Sequence, residues 1–452
     1  MIAVAAIGLS GCATIHNDPI NEPITGPMSE AIPRGEETLP YLDDVVVGLA
    51  FSGGGTRAAA FSFGVLEELN RIPVRGGGVL LDKVDFISGV SGGSVTAAYY
   101  GLHRKAALGD FREKFLHRNA EEGLQTKLTL GTLSRAMAGG VNDSTGFPRW
   151  LDANLFKGAT FREFRAERRP RIWINASDIY NRTPFVFGAT AFSALCSNLA
   201  EYPIASAVAA SAAVPVAFAP LVIKAYPDSC DAPLPAWVTR ARDNINSPPM
   251  VHAFAKAVSS YRDGKVPYVK LLDGGLVDNY AISGFTIARE SSQTPYGPLT
   301  PQQAVKLRRA LFLVVDSKKG LTGDWVRSPE GPTGAELVQA VADTAIDASV
   351  AANYTAFERT MQDWESSIIR WRCGLSVAER RRLGAPANWN CRDVKISIGR
   401  LSFDQFGGAR SAELNAVPTR FNLPAQQVED VISAGSDALR TSPTLQSFMR
   451  GL

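Results

Sequence analysis

Gly89-Val90-Ser91-Gly92-Gly93 stands where the apolar run Val84–Val90 gives way to the helix-like stretch Ser94–Leu102. A G-x-S-x-G pentapeptide in that context reads as a nucleophile elbow. Glycines on both sides relieve crowding at a sharp strand-to-helix turn, so the Ser91 hydroxyl projects with the positive end of the next helix beneath it. A second Gly-rich turn, Gly53-Gly54-Gly55-Thr56-Arg57, lies upstream between the apolar run Val45–Phe51 and the amphipathic segment Ala58–Leu69. Two such turns can supply a nucleophile and the backbone donors that hold its oxyanion.

Working outward, the apolar runs Val45–Phe51, Phe86–Val90, Arg171–Ala176, Tyr268–Leu272, Ala310–Val315 and Val394–Ile398 read as strands. Ala58–Leu69, Ser94–Leu102, Ile204–Ala213, Ala335–Glu358 and Ala425–Leu439 read as helices. Strands interleaved with helices predict an α/β layered fold around a mostly parallel sheet. No internal repeat, coiled coil or low-complexity run is present. Residues 222–267 are rich in Pro, Asp and Asn and read as an insertion rather than core.

The chain has 452 residues, 45% of them apolar, which suffices for a large core and allows roughly two or three domains. With 47 Lys+Arg against 44 Asp+Glu, the net charge of +3 gives no sign of a nucleic-acid or polyanion partner.

At the N-terminus a short apolar stretch ends in Leu9-Ser10-Gly11-Cys12, too short to span a bilayer, which takes about 20 apolar residues. It resembles the end of a bacterial lipoprotein signal, in which Cys12 becomes the lipidated first residue, although no Lys or Arg precedes the apolar run. Ala13 after the cysteine resembles sorting to the outer membrane. The expectation is a lipid-anchored protein of the bacterial cell envelope, facing the periplasm and working at a membrane surface. Residues 13–42, with Pro19, Pro23, Pro27, Pro33 and Pro40, read as a semi-extended tether, or as a leader wrapped on the domain surface. The folded domain is expected over 43–452, with a helical C-terminal region.

Four further cysteines, Cys196, Cys230, Cys373 and Cys391, are an even number, which in an exported protein favours disulfides. Three pairings are possible; sequence neighbours suggest Cys196–Cys230 and Cys373–Cys391, with four buried thiols as the alternative. No Cys/His spacing suits zinc and no acidic loop suits Ca²⁺, so neither metal nor cofactor is assigned.

Ser91 requires a base. The four histidines, His16, His103, His117 and His252, fit poorly, since a triad of the Ser–acid–His order places its His late in the chain and none follows His252. A carboxylate fits better. Val269-Lys270-Leu271-Leu272-Asp273-Gly274-Gly275 puts Asp273 at the end of an apolar strand, where partial desolvation raises its basicity.

Ser52-Gly-Gly-Gly-Thr-Arg57, Gly89-Val-Ser-Gly-Gly93, Ala210-Ser-Ala-Ala-Val-Pro215 and Asp273-Gly-Gly275 occur in the order and contexts seen in patatin-like phospholipases. The chain resembles the bacterial lipoprotein members of that family. The resemblance implies a three-layer α/β/α fold and a Ser91–Asp273 dyad that hydrolyses fatty acyl esters of lipids. It also implies Gly53, Gly54 and Gly55 as the oxyanion loop, with Arg57 as the basic residue beside it and Gly89, Gly92, Gly93, Gly274 and Gly275 as supporting glycines. Two positions depart from the family pattern: Ala58, where another glycine is common, and Ala281, near which many members carry a proline. The apolar run Val214–Val222 would suit a lipid substrate at the site mouth, but reads first as core. Alternatives from the residues are an esterase or thioesterase on soluble substrates, a catalytically silent membrane adaptor, and a nucleotide-binding module. The last lacks the P-loop lysine.

Overall fold

The computed structural model describes residues 17–32, 44–124, 139–165, 170–231, 233–320, 324–327 and 329–452. Cys12, His16, Pro33 and Pro40 lie outside the described residues.

Alternation within the strands sets the layers. In β1 (Val45–Phe51) the side chains of Val47, Leu49 and Phe51 join one apolar cluster, while Val46 and Ala50 join a second. A strand with both faces buried must be covered on both sides, which makes β1 the middle of a sandwich. Among the described residues the sheet has eight strands. In spatial order β5 (Leu221–Lys224), β6 (Tyr268–Asp273), β3 (Arg171–Asp178), β2 (Val84–Val90), β1, β7 (Arg309–Asp316) and β8 (Lys395–Ser402) form its path, and β4 (Thr183–Val186) pairs with β3. The β3–β2–β1–β7–β8 pairs are parallel; those of β6 with β3 and β5, and of β4 with β3, are antiparallel.

One face carries α1 (Gly55–Leu69) and α2 (Gly92–His103), each entered directly from the parallel strand before it. The remaining helices used below are α3 (Ile204–Ser211), α4 (Pro249–Arg262), α5 (Gly275–Asp278), α6 (Ser283–Glu290), α7 (Gly334–Cys373) and α8 (Ala425–Arg440). Helix α8 crosses α1 at backbone contact: a Cβ on Gly64 would fall 2.0 Å from the Ile432 carbonyl oxygen, and one on Gly435 would fall 2.2 Å from that of Phe61. The Ser436 hydroxyl donates to the Gly64 carbonyl at this crossing (2.9 Å). The other face is covered by α6 and α7, whose Phe285, Phe357, Met361 and Trp364 pack with Phe86 and Phe312. The result is a three-layer α/β/α fold.

The sequence expectation for 222–267 is corrected. This segment supplies part of the edge strand β5 and the whole of α4, whose Val251, Phe254, Ala255, Val258 and Tyr261 are buried in the main core. Its Pro-rich punctuation separates short elements rather than marking an excursion. Of the stretch read as a tether, residues 17–32 lie against the domain. Asn21 Nδ2 donates to Ser197 Oγ (2.9 Å) and to the Lys224 carbonyl (2.8 Å), while Ile24, Ala31 and Ile32 are buried. The leader wraps the surface there.

Disulfides join Cys196 to Cys230 and Cys373 to Cys391, with Cα atoms 5.5 and 4.9 Å apart. The second ties the end of α7 to the segment leading into β8. Among the described residues, no helix is long and apolar enough to cross a membrane.

Candidate active site

Both glycine-rich turns emerge at the C-terminal ends of adjacent parallel strands, β1 and β2. Ser91 follows β2 and precedes α2 with φ 51° and ψ −124°, a left-handed conformation that a non-glycine residue adopts only where its surroundings impose it. Those surroundings are identifiable. The Ser91 N–H donates to Ser211 Oγ (2.9 Å), whose hydroxyl donates to the Asn175 carbonyl (2.6 Å). The Ser91 carbonyl accepts from Ser94 Oγ (2.6 Å) and Ser94 N (2.9 Å). The glycines around it are required by space. A Cβ on Gly92 would fall 1.9 Å from the Gly55 carbonyl oxygen, one on Gly93 2.5 Å from that of Ser52, and one on Gly89 2.7 Å from Ser94 Cα.

Asp273 closes β6 and arrives beside Ser91 through pairing with β3, where it lies opposite Ala176. Its main chain is fixed on both sides: its N–H donates to the Ala213 carbonyl (2.8 Å), and its own carbonyl accepts from Ser177 Oγ (2.8 Å). The buried carboxylate accepts the Gly275 N–H at Oδ1 (2.8 Å) and lies close enough to the Ser91 hydroxyl to be influenced by it. Burial pushes its pKa up to about 6; the hydrogen bonds from Gly275 and Ser91 pull the other way and are outweighed. Gly274 is tightly enclosed, since a Cβ there would fall 2.4 Å from the Asn175 carbonyl oxygen.

The upstream turn places Gly54 at φ 140° and Gly55 at φ 61°, conformations suited to glycine. Its three amides have different fates. The Gly53 N–H donates to the side-chain and main-chain oxygens of Asn279 (3.2 and 3.3 Å), so it is occupied. No acceptor among the described residues takes the N–H of Gly54 or Gly55, the latter at the first position of α1. The Gly53 carbonyl accepts from Ser317 Oγ (3.1 Å), and Ser317 N donates to Ser52 Oγ (2.9 Å), pinning the turn to the end of β7.

Arg57 is buried, and its Nη1 donates to the Val417 carbonyl. Burial lowers its pKa to about 10 against the fields of Asp316 and Asp343, and its Nε has no hydrogen-bond partner among the described residues. Together with the Thr56 N–H, which donates to the Arg420 carbonyl (2.8 Å), it anchors the glycine turn to the C-terminal region. Ala58 is buried in the first turn of α1. Ala281 has φ 57°, which the ring of a proline at that position could not adopt.

The three described histidines are engaged elsewhere. His252 Nδ1 meets the Ala241 carbonyl (2.7 Å), His117 meets Glu429 (2.8 Å) and the His103 ring packs at a tilt against Tyr99. The apolar run Val214–Val222 begins next to the Ala213 carbonyl that binds Asp273. Phe218 is buried, Val216 is exposed and the run's end enters β5.

Three residues escaped the sequence reading: Ser211, Asn175 and Asn279. Ser211 lies within the Ala210–Pro215 motif, which could have pointed to it. Asn175 Nδ2, which holds Ser88 Oγ and the Gly89 carbonyl (both 2.9 Å), carried no signal in a strand of ordinary composition.

A serine on a strand-to-helix turn, next to a buried carboxylate and to a second glycine turn whose Gly54 and Gly55 amides have no acceptor among the described residues, marks an α/β protein with a candidate hydrolase site. The family model for patatin-like phospholipase matches residues 49–286, and the chain belongs to that family. No curated protein matches the sequence significantly. Among solved structures it is similar to human GIVD cytosolic phospholipase A2, at 12% identity and TM-score 0.41, covering 94% of this chain and 64% of that one. It is also similar to VipD from Legionella pneumophila, at 12% identity and TM-score 0.28, covering 87% and 67% of the two chains. A third is the ExoU–SpcU complex of Pseudomonas aeruginosa, at 13% identity and TM-score 0.21, covering 77% and 73%.

Proposed function

We propose that this protein is a serine acyl hydrolase that cleaves fatty acyl esters of lipids through a Ser91–Asp273 dyad. The observation that carries the reading is the juxtaposition of Ser91 with a buried Asp273 carboxylate of raised pKa, beside a turn whose Gly54 and Gly55 amides have no acceptor among the described residues. In the first step Ser91 Oγ attacks the ester carbonyl carbon while its proton passes to Asp273. Negative charge builds on the carbonyl oxygen and is met by the amides of Gly54 and Gly55; losing one such donor typically costs about 2.7–4 kcal/mol. The intermediate collapses by breaking the bond to the alcohol, which takes the proton from Asp273, leaving an acyl-Ser91. Water, deprotonated by Asp273, then attacks the acyl carbon; the bond to Ser91 Oγ breaks, the fatty acid leaves, and Asp273 returns the proton to Ser91. Gly53 serves a different purpose from its neighbours, because its amide is held by Asn279.

Membership of the patatin-like phospholipase family supports lipid as the substrate class. The Leu9-Ser10-Gly11-Cys12 sequence supports a lipid anchor on Cys12, and two disulfides suit an oxidising compartment such as the periplasm.

The test is labelling by a serine-directed fluorophosphonate with peptide mapping, followed by fatty-acid release from phospholipid vesicles and from soluble esters. Labelling at Ser91 with release from vesicles is expected. Turnover of soluble esters alone would favour the esterase reading, and a folded, unlabelled protein would favour the adaptor.

A further inference from the structure

The face of the sheet covered by α6 and α7 holds a cavity of about 340 Å³. Its walls come from the N-terminal halves of the strands, at Val46, Phe86, Trp173 and Ala310, and from α6 at Phe285 and Ala288. Ser91 lies beyond the opposite end of β2. Five residue steps of about 3.3 Å put it roughly 16 Å from Phe86. The cavity is therefore separate from the site that Ser91 and Asp273 form.

Its chemistry is one-sided. Aromatic rings dominate the interior, and Thr190, Ser291 and Ser292 add hydroxyl-bearing side chains. The charged residues that line it are Arg171 and Arg289, and among the described residues no Asp or Glu does so. The Arg289 guanidinium is positioned by donating from Nη1 to the carbonyls of Thr294 (2.9 Å) and Gly297 (3.0 Å). Asp363 and Glu290 act on it electrostatically without lining the cavity, and Glu290 is itself engaged by the Thr360 hydroxyl (2.9 Å). An apolar chamber with cationic groups selects a ligand that is apolar over most of its length and anionic at one end. The volume lies near the lower end of the roughly 300–1,000 Å³ of small-molecule sites, which suits one aliphatic chain rather than two.

We propose that this cavity is a second, non-catalytic site that binds a single-chain fatty carboxylate. Such a molecule belongs to the product class of the hydrolysis proposed above, but its binding here does not depend on Ser91 chemistry.

The experiment is a fluorescence titration of the full-length Ser91→Ala protein with 11-(dansylamino)undecanoic acid, competed by dodecanoate and by dodecanol. Two substitutions fill the chamber. Gly284 has ordinary φ, and a Cβ there would stand 3.5 Å from Trp173 Cε3, a normal contact, so Gly284→Leu projects a side chain beside the ring without backbone strain. Ala288→Trp fills it from the next turn of α6. Each should weaken probe binding by about tenfold or more in a protein whose circular dichroism melt stays cooperative. Arg171→Gln should weaken dodecanoate several-fold and leave dodecanol unchanged. With Ser91 restored, both filled variants should hydrolyse p-nitrophenyl butyrate within about twofold of wild type.

Unchanged binding in both folded, filled variants would overturn the site. Equal competition by dodecanol would overturn the carboxylate. Loss of hydrolysis together with binding would assign the chamber to the reacting chain instead. If the wild-type protein hydrolyses no ester, the function proposed above fails while the binding titration still decides this inference.

Discussion

The two glycine-rich turns stand side by side on neighbouring parallel strands, and their glycines meet different demands. At 89–93 the glycines have ordinary φ and are needed because backbone passes within 1.9–2.7 Å of where a Cβ would sit; the unusual conformation falls on Ser91 itself. At 53–55 the unusual φ values belong to Gly54 and Gly55, while the nearest neighbours of a Cβ on Gly54 are side-chain atoms, first among them Ser317 Oγ at 3.0 Å. Gly55 meets both demands, since Arg420 backbone lies 2.5 Å from its missing Cβ. One turn is held by close packing around Ser91; the other has glycine-type φ values and leaves the Gly54 and Gly55 amides without an acceptor among the described residues.

That contrast can be broken most forcefully at the chemistry. Ser91→Ala and Asp273→Asn should each lower kcat by a factor on the order of 10⁴ or more, and the double variant should be little worse than either, because groups acting as a unit lose their effect together. Wild-type kcat/KM should rise with pH through about 6, as Asp273 ionises to its basic form. Stability runs the other way. The folded pKa lies above the unfolded value of 3.8, so ionised Asp273 opposes folding: the penalty is absent below about pH 4, grows between about 4 and 6, and is full above. Asp273→Asn should therefore melt higher than wild type at pH 8, by up to roughly 3 kcal/mol, with the curves converging at low pH. A variant that is inactive but less stable at pH 8 would count against a desolvated carboxylate.

Alanine scanning of the glycines sharpens the difference between the turns. Gly92→Ala drives a Cβ into backbone and should destabilise by about 3 kcal/mol or more, measured by urea denaturation. Gly54→Ala introduces backbone strain and should cost about 1–3 kcal/mol, while lowering kcat on the order of 10²-fold by misdirecting the donor amides. Similar stability losses at both positions would erase the distinction. Ser211→Ala leaves the Ser91 N–H without its acceptor and should cost about 1–3 kcal/mol with a measurable fall in kcat. The smallest change in stability is that of Ser91→Gly, which should gain about 1 kcal/mol because glycine accepts φ 51° without a Cβ penalty.

Much of the fold was legible because long apolar runs with both faces buried can only be inner strands. Val45–Phe51 and Val84–Val90 declared themselves in this way, and the glycines after them marked the turns. Thr183–Val186 and Leu221–Lys224 did not, since four residues carry too little periodicity and Pro184 breaks even that. The 222–267 segment misled for a related reason: its prolines and polar residues mark the ends of short elements, and the buried face of Pro249–Arg262 becomes plain only against the core it packs on.

Legible in the chain alone were the residue types at the turns, the place of Ser91 between a strand and a helix, and a strand-end carboxylate, Asp273, as the candidate base. These are local matters, settled by backbone conformation and composition over a few residues. The partners across space were not legible there and follow from the folded arrangement. Asn279 takes the Gly53 amide, Ser211 holds the Ser91 amide, and the carbonyls of Val417 and Arg420 anchor the glycine turn through Arg57 and Thr56. The physical reason is that a hydrogen bond requires atoms about 3 Å apart, and sheet pairing and helix packing, not neighbourhood in the chain, bring those atoms together.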